Sequence, residues 1–233
     1  MRKRGGSAGG CAHRQPVPLA AVPDRENTAD ALIGRDGVND LASLPAGAKV
    51  GTGSVRRAAQ LLHLRPDLKI FDIRGNVDTR LKKIKSESFD AIVLACAGLN
   101  RMGLADRISY AFADTELLPA VGQGALGLEV RGDDQTTISA VSQLNDDESY
   151  HRSMAERSML RRLFAGCLAP VGAVTAVDSG QLTLTGVVLS CDGVTRIEAT
   201  MSHPMEASTE LGVVVAEVLL EKGADALLKS PRL

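Results

Sequence analysis

The chain has 233 residues, 27 Lys and Arg against 28 Asp and Glu, and 44% hydrophobic residues. That length supports one large domain or two small ones with apolar cores, and the hydrophobic share excludes an intrinsically disordered chain. Balanced charge and an aromatic content of 3% argue against a nucleic-acid binder, and no apolar stretch reaches the roughly 20 residues that span a bilayer.

Taken in chain order, residues 1–15 carry no hydrophobic period and read as a tail. Gly10-Cys11 is only faintly similar to a lipoprotein cleavage site, because the apolar run such a signal needs is missing. Pro16 to Val22 is apolar enough for a strand but has nothing before it to pair with. From Ala48 a strand-then-helix rhythm begins. Ala48 to Gly51 reads as a strand and Gly51 to Ser54 as a turn. Ser54 is the expected N-cap of a helix with Val55, Ala58, Ala59, Leu61 and Leu62 on its apolar face, stopped by Pro66. Leu68 to Ile73 is a second strand, Arg74-Gly75-Asn76 a turn, and Val77 to Ile84 a second amphipathic helix. Ala91 to Ala95 is a continuous apolar run of the buried parallel type, and a helical turn leads to Asn100-Arg101-Met102-Gly103. This alternation predicts a parallel sheet with helices on both faces.

The second half changes character. Tyr150 to Phe164 reads as a charged helix with Met154, Met159, Leu160 and Leu163 on its apolar side, broken by Gly166 to Pro170. Three alternating strands follow, Gly172 to Val177, Gln181 to Ser190 and Thr195 to Met201, with turns at Ser179-Gly180 and Cys191-Asp192-Gly193. A last helix, Ser208 to Lys222, ends at Gly223. The expectation is a small α+β domain beginning near residue 145.

The chemistry sits in the arginines. Arg56 and Arg57 fall in the first turn of the first helix, Arg74 at the next strand end, Arg80 one turn into the next helix, and Arg101 after the third strand. In an open parallel sheet these points share the edge outside the carboxyl ends of the strands, where ligands bind. Helix N-termini there favour anions, and guanidinium forks grip carboxylates or phosphates. Singly, each reads as a solvated surface arginine; as a set, they read as a site for a ligand with several carboxylates or phosphates. Leu118 to Ala125 is glycine-punctuated around Gln123 and reads either as a loop pressed on a ligand or as a crossover between domains. Cys167, on a constrained turn behind a basic helix, is a candidate nucleophile or attachment point, whereas Cys96 reads as packing. The four Cys and four His show no ligand spacing, so no metal is expected, and a reduced cytoplasmic setting is the default.

The strings Val50-Gly51-Thr52-Gly53-Ser54-Val55-Arg56-Arg57, Arg74-Gly75-Asn76-Val77-Asp78-Thr79-Arg80-Leu81, Ala97-Gly98-Leu99-Asn100-Arg101-Met102-Gly103, Leu118-Pro119-Ala120-Val121-Gly122-Gln123-Gly124 and Gly166-Cys167-Leu168-Ala169-Pro170-Val171-Gly172 occur in that order. Together they resemble the porphobilinogen deaminase (hydroxymethylbilane synthase) family from about Pro16 onward. The resemblance implies an α/β parallel-sheet domain of the two-lobed periplasmic-binding-protein type plus a small C-terminal α+β domain. Its implied division is a tail at 1–15, a remnant of the family's first domain at 16–30 and 120–144, a second domain at 31–119, and the C-terminal domain at 145–233.

The implied activity joins four porphobilinogen molecules, with loss of ammonia, into hydroxymethylbilane. Cys167 would hold the dipyrromethane cofactor by a thioether, with Ser54, Arg56, Arg57 and Arg74 as further cofactor ligands and Arg80, Arg101 and Gln123 as substrate ligands. The expected partner is porphobilinogen alone, with no nucleic acid and no membrane, in a monomer. Two departures stand out. Gly53 occupies a position where the family usually has Ser. Nothing matches the S-[ML]-K-D-[VL]-P loop that carries the family's acid/base Asp, so no catalytic residue is identified. That leaves as the alternative a catalytically dead, anion-binding remnant of the same fold.

Overall fold

The computed structural model describes residues 19–166 and 169–229. In chain order β1 (Leu19–Ala21) and β2 (Asp30–Gly34) lead to β3 (Lys49–Gly51), α1 (Val55–Leu64), β4 (Lys69–Phe71), α2 (Val77–Ser86), β5 (Ala91–Ala95), α3 (Cys96–Arg101) and β6 (Tyr110–Ala111). The local signals act as expected. The Ser54 hydroxyl caps α1 by accepting from the Arg57 N–H at 3.4 Å, and α1 ends just ahead of Pro66. Asn76 caps α2 in the same way at 2.9 Å, and Lys83 and Lys85 in its last turn suit the helix dipole.

Strands β2 to β6 form one sheet in the order β4-β3-β5-β2-β6. Strand β3 is parallel to β4 and β5, while β2 runs antiparallel to both β5 and β6. The sequence pattern did not signal β2, because the five-residue run has no helix attached to complete a strand–helix unit. It is nevertheless a central strand, with Ala31, Leu32 and Ile33 buried. Ala31, Ile33, Ile92 and Leu94 pack on one face with Leu81 and Ile84 of α2 and Leu99 of α3. Leu32, Val50, Ala91 and Val93 pack on the other with Leu61 of α1, Phe112 and Leu117. Because β2 runs backwards, its first residue, Asp30, lies beside Ala95 at the carboxyl end of β5.

Beyond β6 the chain forms β7 (Leu128–Glu129), α4 (Gln135–Val141) and α5 (Asp147–Arg162). The isolated strand expected before Val22 has a distant partner: β1 pairs antiparallel with β7 through an irregular register. The helix α4, absent from the sequence reading, has no buried residue and so no apolar stripe to betray it.

The C-terminal lobe comprises β8 (Val171–Asp178), β9 (Gln181–Leu189), β10 (Arg196–Pro204), α6 (Ser208–Glu221) and α7 (Ala224–Lys229), with β9 central in an antiparallel sheet. Its core joins Met159, Leu184, Val188, Leu211, Val215 and Leu219. Of the expected methionine–leucine stripe on α5, Met159 and Leu163 are buried in this core and Leu160 packs against it. The buried face of α5 also includes Ser149, Ser153, Ala155, Glu156 and Ser158, and the small Ala155 and Ser158 let α6 approach closely at Gly212. Glu156 in that face requires a partner, described below.

The two lobes meet along α1. Ala59 clusters with Leu118, Val187 and Leu189. The β9–β10 turn presses on the same helix, where Gly193 has φ +74° and a Cβ would come within 2.5 Å of the Ala59 carbonyl. A hydrogen bond of 2.8 Å joins His63 Nδ1 to the Gly193 carbonyl. Among the described residues no helix is long and apolar enough to cross a membrane.

Candidate functional site

The carboxyl ends of β3, β4 and β5 lead to the β3–α1 turn, the Asp72–Gly75 segment and α3 respectively, and the amino end of β2 joins them there. The sequence-predicted arginines divide into two groups. Arg56 and Arg57 are buried beneath the edge, while Arg74 and Arg101 are exposed on it and Arg80 is half-buried.

Asp30 organises the buried group. Its Oδ2 accepts from Arg56 at 2.7 Å, and its Oδ1 accepts from Arg57 Nε at 2.9 Å. Burial pushes the Asp30 carboxyl up, but the adjacent guanidiniums of Arg56 and Arg57 reverse this and hold it below the usual carboxylate range. Arg56 also donates to the Leu118 carbonyl at 2.5 Å and Arg57 to the Val93 carbonyl at 3.3 Å. One carboxylate thus faces two guanidiniums, leaving a buried excess of positive charge, and Arg56 Nε has no hydrogen-bond partner among the described residues.

Gln123 closes the group. Its amide donates to Asp30 Oδ1 at 2.9 Å and to the Thr28 carbonyl at 2.6 Å, and its side-chain oxygen accepts from Arg56 at 3.3 Å. The loop carrying it needs glycine at 124, where φ is +84° and a Cβ would lie 2.4 Å from the Glu26 carbonyl. The Gly124 carbonyl in turn accepts from Arg101 at 2.8 Å.

A second buried pair anchors that loop to the C-terminal lobe. Arg25 donates from Nε to the Gln123 carbonyl at 2.9 Å and grips Glu156 with two hydrogen bonds of 2.7 and 2.9 Å. Glu156 also accepts from the Gly122 N–H at 2.7 Å and the Thr175 hydroxyl at 2.9 Å. Every oxygen of this buried carboxylate is therefore used.

On the open side Arg74 Nε donates to Asp72 at 2.7 Å, and Arg80 Nε donates to the Gly75 carbonyl at 2.8 Å. Ser54 spends its hydroxyl on the helix cap. Cys167 lies outside the described residues. Cys96 is buried in the first lobe, and burial, with Asp30 nearby, pushes its thiol up, so it stays protonated. The structure thus gathers Arg56, Arg57 and Gln123 around Asp30, leaves Ser54 as the cap of α1, and sets Arg74, Arg80 and Arg101 around the rim. Sequence reasoning missed Asp30, Arg25 and Glu156. The available signal for Asp30 was a lone carboxylate directly ahead of the apolar run Ala31-Leu32-Ile33.

The family model for the porphobilinogen deaminase dipyromethane cofactor binding domain matches residues 12–139, and that for the family's C-terminal domain matches residues 150–221. The chain belongs to the porphobilinogen deaminase family. It is 46% identical over 210 residues to the porphobilinogen deaminase of Syntrophotalea carbinolica, covering 90% of this chain and 66% of that one. Against the porphobilinogen deaminase of Thermus thermophilus it is 47% identical over 217 residues, covering 93% and 72%. The chain spans about two thirds of the length of the curated relatives it matches. Among solved structures it is similar to an arginine-specific periplasmic binding protein of Salmonella typhimurium, with 16% identity and a TM-score of 0.36 over 60% of this chain and 62% of that one.

Proposed function

We propose that this chain holds the growing pyrrole chain in a transferase that condenses four porphobilinogen molecules, releasing ammonia each time, into hydroxymethylbilane for tetrapyrrole biosynthesis. The observation that carries the reading is the buried excess of positive charge: Arg56 and Arg57 share one carboxylate, with exposed arginines above them. Buried charge is stable when compensated, and a carboxylate-rich ligand on the rim supplies the missing negative charge. Porphobilinogen and the dipyrromethane cofactor both carry acetate and propionate groups, and the donor set of this edge fits them.

The dipyrromethane, when bound, supplies a covalent primer on which pyrrole units are added. Cys167 would hold it by a thioether, with Ser54, Arg56, Arg57 and Arg74 receiving its carboxylates. Arg80, Arg101 and Gln123 would receive the incoming porphobilinogen. Gln123 has a double task in this scheme, because its amide also holds Asp30 in place. The Arg25–Glu156 pair keeps its loop fixed while the ligand grows.

The test is covalent loading. The chain, extended to the full length of its relatives and given porphobilinogen, should gain the mass of a dipyrrole and give a colour reaction with an aldehyde reagent. Cys167→Ser should abolish both, and Cys96→Ser and Cys191→Ser should abolish neither. Added mass persisting in Cys167→Ser overturns the attachment.

A further inference from the structure

The rim is not uniformly cationic. Asp72 follows β4 and its side chain is about half exposed, at 55%, with Oδ2 accepting from Arg74 Nε at 2.7 Å. Its other oxygen accepts no hydrogen bond from any described residue. That Oδ1 faces the β3–α1 turn, where a Cβ on Gly53 would lie 3.2 Å from it. With glycine there, no side chain covers the oxygen from that side. Of the other acidic groups nearby, both Asp30 oxygens hold guanidiniums, while Glu26 holds the Asn27 N–H and the Asn100 amide through Oε1 and accepts from no described arginine. The terminal nitrogens of Arg74 donate to no described group, because Asp72 engages only Nε.

Asp72 and Arg74 therefore present, side by side, a free carboxylate oxygen and free guanidinium N–H groups. A ligand carrying only carboxylates uses the second and is repelled by the first. A ligand carrying a carboxylate and an ammonium uses both. We infer that Asp72 is a specificity-determining residue that accepts the ammonium of the incoming aminomethylpyrrole while Arg74, whose two terminal nitrogens can serve the primer and the arriving monomer together, takes one of its carboxylates. This inference rests on the function proposed above and adds to it the selection of monomer over deaminated pyrrole. Porphobilinogen still carries its amine on arrival, whereas the pyrrole rings already joined have lost theirs. The free oxygen of Asp72 separates the two by charge, which a purely cationic rim cannot do.

The experiment is titration calorimetry on the 233-residue chain with two probes. One is porphobilinogen; the other is the same pyrrole dicarboxylate with hydrogen in place of the aminomethyl group. The variant is Asp72→Asn, which keeps the shape and an acceptor for Arg74 but loses the charge at a partly exposed position where folding is insensitive. A partly exposed ion pair corresponds to about a fivefold effect. Wild type should bind porphobilinogen about fivefold more tightly than the deaminated probe, and Asp72→Asn should erase that ratio without weakening the deaminated probe. An unchanged ratio in Asp72→Asn, or equal weakening of both probes, overturns the role of Asp72 while leaving the site intact. Failure of wild type to bind either probe overturns the reading of the site and this inference with it.

Discussion

Asp30→Asn is the sharpest perturbation of this structure. The substitution preserves side-chain shape but leaves Arg56 and Arg57, 4% and 8% exposed, without their shared carboxylate. Breaking a buried pair by removing one partner costs about 3–5 kcal/mol, because the other charge stays buried and uncompensated. Here two guanidiniums are abandoned together, and the new amide N–H group adds a donor among donors, so a loss near the middle of that range, about 4 kcal/mol, is expected. With a urea slope of about 3 kcal/mol/M, the unfolding midpoint should fall by about 1.3 M at pH 7. The pH dependence supplies a second check. The folded-state pKa of Asp30 is held below its unfolded value near 4, so its stabilisation is complete above that value and is lost as pH falls towards the folded one. The difference between wild type and variant should be constant from pH 7 to about 5 and shrink below about 4. A variant within about 1 kcal/mol of wild type at pH 7 would show that the Asp30 cluster does not stabilise the folded state.

Glu156→Gln should also destabilise by about 3–5 kcal/mol, since Arg25 is buried with it, and amide exchange should rise at Gly122 and Gln123 as the loop loosens. In the chain extended to the length of its relatives, Arg74→Leu should lower product formation or stall growth at one length. Arg35→Leu, whose guanidinium among the described residues donates only to the Phe89 carbonyl, should be near neutral in the same product assay. A polypeptide of these 233 residues should bind porphobilinogen without turning it over. The chemistry needs a carboxylate positioned against the pyrrole, and Asp30 is locked between arginines. Steady formation of hydroxymethylbilane would mean that another carboxylate, such as Asp24 or Asp72, fills that role.

The sequence made legible whatever is encoded locally. Ser54 and Asn76 announced the starts of α1 and α2, Pro66 the end of α1, and the run Ala91 to Ala95 a buried strand, each within a few residues of where it lies. What depends on distant pairing was hidden. The strand β2 has no local mark of its orientation, and with it went the placement of Asp30 beside the arginines. The same holds for Glu156, which reads as one more charge on a charged helix until Arg25 arrives from far back in the chain. The arginine set itself was visible because strand ends recur in sequence, but the division into a buried pair and an open rim follows from tertiary packing alone.

The way α1 is shared between lobes bears on how this chain can be recombined with its relatives. Ala59 packs on Val187 and Leu189, and the Gly193 turn rests against the helix backbone. A chimera joined near residue 150 would therefore place one parent's α1 against another parent's β9 and turn. Matching the active-site motifs would not be enough to make it fold. Grafts that carry residues 55–64, 118 and 187–193 from the same parent should be tolerated, whereas grafts that split this set should show weakened coupling between the lobes, seen as two separate unfolding transitions in place of one.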